Sequence, residues 1–289
     1  MKCSLFVPSH ITGFFQIIDN PNPVKKGSRG AGVVMDKGVI TTLKSSKKDK
    51  KITVKINGKI DRLSNSITHK TIELIQQKFI WDSGFKIEHD IQVPIACGFG
   101  TSAACALGTS LGLSHLFNLP LNYNQAAEIA HNSEVILGTG LGDLIAETSG
   151  GIVLRIKEGP PGFGKLNHII TEPLYVIAHT KGDIDTSSII QNPVHQKTIN
   201  LTGEGMLKSL ITDPSPSKFM SLSRQFAERT SLMNKEVKEM VDILDDETLG
   251  ASMAMLGNTA FALSKNPDSS IENSIVGKID FCGSRFMEI

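Results

Sequence analysis

The chain has 289 residues, 40% of them apolar and 20% charged, so it can bury a real core; at roughly 150 residues per domain it is expected to form about two. Its 30 basic and 29 acidic side chains leave a formal charge of +1, without the basic excess of a nucleic-acid binder, and 1 Trp with 2 Tyr offers few platforms for stacked bases. No apolar run approaches the ~18 residues of a membrane span. The 4 cysteines (Cys3, Cys97, Cys105, Cys282) lack metal-like spacing, which suits a reducing, cytoplasmic setting.

Strand-like and helix-like text alternates in the first half. Lys2–Val7, Gly32–Thr42 and Lys51–Ile56 read as strands, with the charged run Lys44–Lys51 as a solvated hairpin tip and Asn57-Gly58 as a turn. Ser66–Ile80 has helical spacing, and Phe85–Val93 alternates as a half-buried strand does. A Gly-rich turn at Gly98–Gly100 opens an Ala-rich helix over about 101–117. Asn122 with Gln125 forms a capping signal for a second helix ending near Leu137. Gly138–Gly142 is another Gly-rich loop, and Gly150-Gly151 leads into the strand Ile152–Ile156. Pro160–Gly164 marks the expected junction between two α+β domains, 1–162 and 163–289. The second half reads as a strand at Leu174–His179, helices at His195–Leu210, Pro216–Ser231 and Lys235–Leu244, and strands near Ala260 and at Ile275–Phe281.

The most informative segment is Pro94-Ile-Ala-Cys-Gly98-Phe99-Gly100-Thr101-Ser102-Ala103-Ala104. Two glycines let the backbone approach a bulky ligand, and the helix that follows presents free N–H groups and a positive dipole end to an anion. An ordinary strand–turn–helix connection is the alternative. Gly98-x-Gly100-x-x-Ala103 also fits a relaxed dinucleotide fingerprint, but the required second strand with its acidic end is missing. Gly108-Thr-Ser110-Leu-Gly112 matches the hydrolase nucleophile elbow, yet it falls inside a helix, where helix–helix packing explains its glycines. The pattern G-x-x-x-x-G-K-[ST] is absent, so any ATP site here has another architecture.

Glu134 sits on a small apolar helix face, where a carboxylate is costly unless paired or metal-bound. Ser102 and Glu134 could share one Mg²⁺, a hard cation that bridges to substrate phosphates; a salt bridge is the alternative. Asp143, after Gly138-Thr-Gly140-Leu-Gly142, is either a turn or cap residue or a base beside a substrate hydroxyl. Read alone, the cap reading is favoured.

Together these segments resemble the GHMP kinase superfamily of small-molecule kinases. The 94–104 segment is similar to its phosphate loop P-x-x-x-G-L-G-S-S-A-A, and Glu134, Gly142-Asp143 and Gly150-Gly151 follow the order of its metal ligand, catalytic Asp and closing glycine pair. The third family motif appears only in altered form, at Gly250-Ala-Ser252-Met-Ala-Met-Leu-Gly257-Asn258-Thr-Ala-Phe-Ala-Leu. The usual P-G-[KR] near the N-terminus is replaced by Pro8-Ser9-His10, followed by Lys25-Lys26-Gly-Ser28-Arg29-Gly-Ala-Gly32. That combination resembles the archaeal pantoate kinase branch of the superfamily.

The resemblance implies a ribosomal-protein-S5-like N-terminal domain, a ferredoxin-like C-terminal domain, and a cytoplasmic enzyme, expected as a homodimer, with ATP and Mg²⁺ and neither nucleic-acid nor membrane partners. Gly98, Phe99, Gly100, Thr101, Ser102 and Ala103 would hold the phosphates, Ser102 and Glu134 the metal, and Asp143 with His10 would be catalytic. The implied acceptor is the primary hydroxyl of pantoate, a step toward coenzyme A; a mevalonate-type substrate (mevalonate or mevalonate 3-phosphate) or a non-catalytic metabolite sensor is the alternative. For the carboxylate, Arg29 is the first expectation because a guanidinium grips it with two hydrogen bonds. Lys25 and Lys26 come second, with Ser28, His10 and Gly140 completing the pocket.

Overall fold

The computed structural model describes residues 1–46, 49–62, 66–182 and 193–288. Its frame is a pair of long antiparallel strands, β1 (Lys2–Ile18) and β2 (Gly27–Ser46), matched from Lys2 opposite Lys44 to Ile18 opposite Gly27. Both run well past the expected Lys2–Val7 and Gly32–Thr42 because apolar inward positions continue; Leu5, Val7, Ile11, Val33, Val39 and Leu43 are all buried. The ladder shifts register between Pro8 and Ser9 and again between Thr12 and Phe14. Such irregularities re-aim side chains, and these two flank His10 and Thr12.

The second half of β2 pairs with β5 (Gly84–Ile91), whose residues alternate buried and exposed as expected. β3 (Ile52–Ile56) runs parallel to β5 on its far side and turns through Asn57-Gly58 into β4 (Lys59–Ile60). The charged run 44–51 is therefore not a hairpin tip, since β5 lies between the strands on either side of it; residues 47–48 of that run lie outside the described residues. The first half of β2 pairs with β6 (Ile152–Lys157), which pairs in turn with β7 (Lys165–Ile169). The expected junction at 162/163 falls in the turn between β6 and β7, and the second sheet begins with β8 (Tyr175–Thr180).

Four helices accompany the first sheet among the described residues: α1 (Ile67–Gln76), α2 (Thr101–Leu116), α3 (Tyr123–Leu137) and the short α4 (Asp143–Glu147). α3 opens with the expected capping box, Gln125 N donating to Asn122 Oδ1 at 3.0 Å and Asn122 N to Gln125 Oε1 at 2.9 Å. On α2, side chains at Gly108 and Gly112 would overlap Thr41 and Leu43 of β2. Those glycines thus serve close helix-to-sheet packing, not the helix–helix packing inferred from sequence.

The second sheet has the order β11-β8-β10-β9, with β9 (Ala251–Met253), β10 (Thr259–Ser264) and β11 (Ile275–Lys278), all antiparallel. The helices α5 (Pro193–Thr212), α6 (Pro216–Arg229) and α7 (Lys235–Glu247) lie between β8 and β9 in the chain. A short strand, β12 (Arg285–Phe286), returns to the outer edge of β1. One apolar core runs through both layers. At their junction, Phe14 and Phe15 of β1 meet Phe219 and Phe226 of α6 with ring centroids 5.7–6.5 Å apart. Each such ring is worth roughly 1.5–3 kcal/mol when fully buried. No helix among the described residues is long and apolar enough to cross a membrane.

Candidate active site

A cleft opens where the two layers meet. Its walls are the 98–102 loop, the 139–143 loop, Thr12 and Ser28 on the central strands, Arg155 on β6, and Met255 and Leu256 beyond β9.

The first loop turns by left-handed backbone at Ala96 (φ 60°), Gly98 (φ 85°) and Gly100 (φ 68°). Ala104 N makes an early helical bond of α2, to Gly100 O at 3.1 Å. The N–H groups of Thr101, Ser102 and Ala103 precede it and have no intrahelical acceptor, so with the dipole they form an anion-binding end. The altered third motif braces this loop. Thr259 Oγ1 donates to Cys97 O at 2.7 Å, Met255 N donates to Thr12 O at 2.9 Å, and a side chain at Gly257 would overlap the Cys97 carbonyl.

Ser102 and Glu134 come together at the start of α2. Ser102 Oγ donates to Glu134 Oε1 at 3.0 Å, and Glu134 is buried. Burial first, and then the charge of Asp143, pushes the Glu134 carboxyl up to about 8 against the Ser102 hydrogen bond. Gly140 makes room for this carboxylate, which any side chain there would overlap.

Asp143 is the first residue of α4, and Gly142 holds the cap position. The cap reading of Asp143 is thereby replaced: its carboxylate turns to β1. His10 Nδ1 lies 2.7 Å from Asp143 Oδ1, and Thr12 Oγ1 donates to the same oxygen at 3.3 Å. His10 and Thr12 are two apart on a strand and so share a face. Arg155 Nη1 stands 3.3 Å from His10 Nε2. An arginine only donates, so Nε2 accepts and the proton on Nδ1 is donated to Asp143. Burial holds His10 below the usual histidine range, in the neutral form, against the pull of Asp143. For Asp143, burial pushes upward but is outweighed by His10, Arg155 and Thr12, so its carboxyl lies below the usual range and is ionised at neutral pH.

Three residues of this cluster were missed in sequence: Thr12, two places after His10 on β1, Arg155 and Glu147. Arg155 is buried and fully desolvated, with its guanidinium held down to about 10. A lone charge in the apolar text Ile-Val-Leu-Arg-Ile was the available signal, since arginine is almost never fully buried unless paired. Glu147 is also fully buried; its position four residues after Asp143 was the signal.

The basic residues expected to grip the substrate lie elsewhere. Arg29 Nε donates to Glu158 Oε2 at 2.8 Å, and Lys26 pairs with Asp19 at 2.7 Å on the surface. Lys25 is exposed at the end of a short 3-10 turn, and none of the three lines the cleft. Strand alternation gives the reason: Ser28 faces the cleft, so Arg29 faces away. His131 holds the turn with Nε2 3.1 Å from Pro23 O and 3.0 Å from Lys26 O.

Residues 66–151, which contain both glycine loops, Glu134 and Asp143, match the family described as GHMP kinases N terminal domain. The pantoate kinase of Methanocaldococcus jannaschii is 36% identical to this chain over 95% of it and 99% of the relative. The chain belongs to the GHMP kinase family. As a GHMP kinase it is an ATP-dependent small-molecule phosphotransferase with the expected α+β fold. The pantoate kinase of Thermococcus kodakarensis is 35% identical over 93% of the chain and 90% of the relative. A solved structure titled as a phosphotransferase related to the CoA biosynthesis pathway superposes with a TM-score of 0.87 at 31% identity, covering 99% of each chain.

Proposed function

We propose that this GHMP kinase transfers the γ-phosphoryl group of ATP to the primary hydroxyl of pantoate, forming 4-phosphopantoate for coenzyme A synthesis in the cytoplasm. Near-full-length identity of 36% to a pantoate kinase carries the substrate assignment. The site supports the same reaction, because an anion-binding helix end and an ionised carboxylate face one cleft.

The N–H groups of Gly98 to Ala103 hold the β- and γ-phosphates at the head of α2. Asp143 receives the proton of the attacking hydroxyl as the new O–P bond forms and the bond from the γ-phosphorus to the bridging oxygen breaks, leaving ADP. His10 keeps the Asp143 carboxylate turned toward the cleft and ionised. Phosphoryl transfer asks the protein mainly for positioning and charge neutralisation.

Ser102 and Glu134 suit Mg²⁺: both are oxygen donors, and a buried carboxylate without a cation is costly. Among the described residues, no group of three or more His, Cys, Asp or Glu is arranged to hold a metal, so Ser102 and Glu134 would hold the ion only together with groups that substrate and solvent supply. When bound, Mg²⁺ neutralises charge on the phosphates.

Arg155, the cation lining the cleft, grips the substrate carboxylate, with Ser28 beside it. A side chain at Gly142 would overlap Ser28 Oγ and crowd Arg155, so that glycine keeps both within reach of the cleft. Arg29, tied to Glu158, then fixes the loop edge. We take the enzyme to be a homodimer built of the two domains expected from sequence.

The decisive experiment measures Mg²⁺-dependent ADP release with pantoate, pantothenate, mevalonate, mevalonate 3-phosphate and homoserine. Turnover on pantoate alone supports the assignment. Turnover on a mevalonate instead overturns the substrate and leaves the family intact.

A further inference from the structure

The reaction described above has no use for Glu147. It closes α4 one helical turn after Asp143, so the two carboxyls leave the same side of the helix. Asp143 opens on the cleft, whereas Glu147 is fully buried. Its carboxyl tip abuts Gly100, where any side chain would overlap Glu147 Oε1. Neither carboxylate oxygen has a hydrogen-bond partner. The charges that face it have its own sign: Asp143 on α4 and Glu134 on α3. The other titratable groups that sense it are the Cys105 thiol on α2 and the Tyr123 phenol at the start of α3. An ionised carboxylate in such a place is strongly disfavoured without a compensating partner.

We propose that Glu147 is a positioning residue of the phosphate loop that works as a neutral carboxylic acid, backing Gly100 without placing a negative charge behind the bound triphosphate. The inference rests on reading that loop as the nucleotide site. Burial, and after it the charges of Asp143 and Glu134, lifts the carboxyl well above the usual range, in agreement with the geometry. A charge behind Gly100 would act on the phosphates through a low-dielectric interior, where repulsion is weakly screened. The acid fills the space under the loop while it keeps its proton. Once it loses the proton as pH rises, the loop holds ATP less tightly. The effect falls on ATP affinity and the KM for ATP more than on kcat.

The test compares ATP binding to the wild type, E147A and E147Q by calorimetry from neutral to alkaline pH, with infrared spectra of each protein. The expected result is that E147A loses affinity and E147Q restores it at neutral pH. As the acid ionises, wild-type affinity falls relative to that of E147Q by up to about tenfold per pH unit, while the Glu134 carboxyl, at about 8, titrates in both proteins and cancels from the comparison. The wild type also shows a protonated-carboxyl band that E147Q lacks. E147Q binding as poorly as E147A, or the absence of that band, would overturn the proposal, because Glu147 would then act as a charged group. The spectrum decides even where E147A does not fold. Failure of the wild type to bind ATP at any pH would instead refute the nucleotide site.

Discussion

His10 is held from both sides: Arg155 donates to its Nε2 at 3.3 Å, and its Nδ1 donates to Asp143 at 2.7 Å. The arrangement crosses β2, because Arg155 stands opposite Gly30 and a side chain at Gly32 would overlap His10 Nε2. Gly32 of β2 leaves the room that the His10 ring occupies on the way from β6 to β1. The ring is thereby fixed in one tautomer, and the carboxylate beyond it is kept ionised.

Replacing His10 by Ala removes the hydrogen bond that does most to lower the Asp143 carboxyl. A group with a depressed pKa loses its ionised form as pH falls through that pKa. The acid limb of kcat/KM therefore moves to higher pH in His10→Ala, while activity on the plateau falls less. A pH–rate profile checks the shift; an unmoved acid limb would detach His10 from Asp143.

Asp143→Asn keeps the shape of the site and removes the proton acceptor. Turnover falls by about 10²- to 10⁴-fold, and ATP affinity is retained. Single-turnover kinetics with calorimetric ATP binding separates the two effects.

Arg155→Lys raises the KM for pantoate by about tenfold or more, because hydrogen bonds to a charged group are worth roughly 1.5–3 kcal/mol and lysine cannot reproduce the guanidinium fork. Arg29→Ala leaves that KM within about twofold, because Arg29 does not line the cleft and is tied to Glu158 instead. Steady-state kinetics on both variants distinguishes the two arginines, and the reverse order of effects would return the carboxylate to Arg29.

Glu134→Gln retains the hydrogen bond from Ser102 but weakens the metal ligand. The Mg²⁺ concentration needed for half-maximal activity rises, and saturating metal recovers part of the rate. A Mg²⁺ titration of initial rates checks it; an unchanged midpoint would remove Glu134 from the metal site.

His89 makes a separate prediction about stability. It is fully buried between the hydroxyls of Thr41 and Thr68, at 2.9 and 3.0 Å, and burial takes it from 6.5 to about 4. The unfolded chain accepts a proton at this residue before the folded chain does. Folding stability therefore declines as pH drops from 6.5 toward 4, by about 3 kcal/mol from this residue alone, at 1.36 kcal/mol per unit. Denaturant titrations at several pH values should show a shallower decline in His89→Gln than in the wild type.

Local signals in the sequence were strong where one element carries its own pattern. The alternation of β5, the capping box of α3, and the phosphate loop opening α2 all depend on neighbours a few residues apart. As local structure, the alternating strand, the capped helix and the Gly-rich turn before α2 appear at the expected places. The substrate side was harder to read, because it depends on which strand face is turned inward. Ser28 and Arg29 are adjacent in the text and lie on opposite faces. Arg155 reaches His10 across an intervening strand, and that path exists only once β1, β2 and β6 are paired. The break of the 44–51 hairpin has the same origin, since β5 enters the sheet between β2 and β3 from a later stretch of chain.

The brace on the phosphate loop has a consequence for biogenesis. Thr259, whose hydroxyl holds the Cys97 carbonyl, lies 162 residues after it in the chain. A ribosome delivers the loop and α2 long before the segment that fixes their backbone. The pocket thus matures only after that later segment has emerged, and nascent chains arrested before residue 250 would carry every residue of the loop without the support that shapes it.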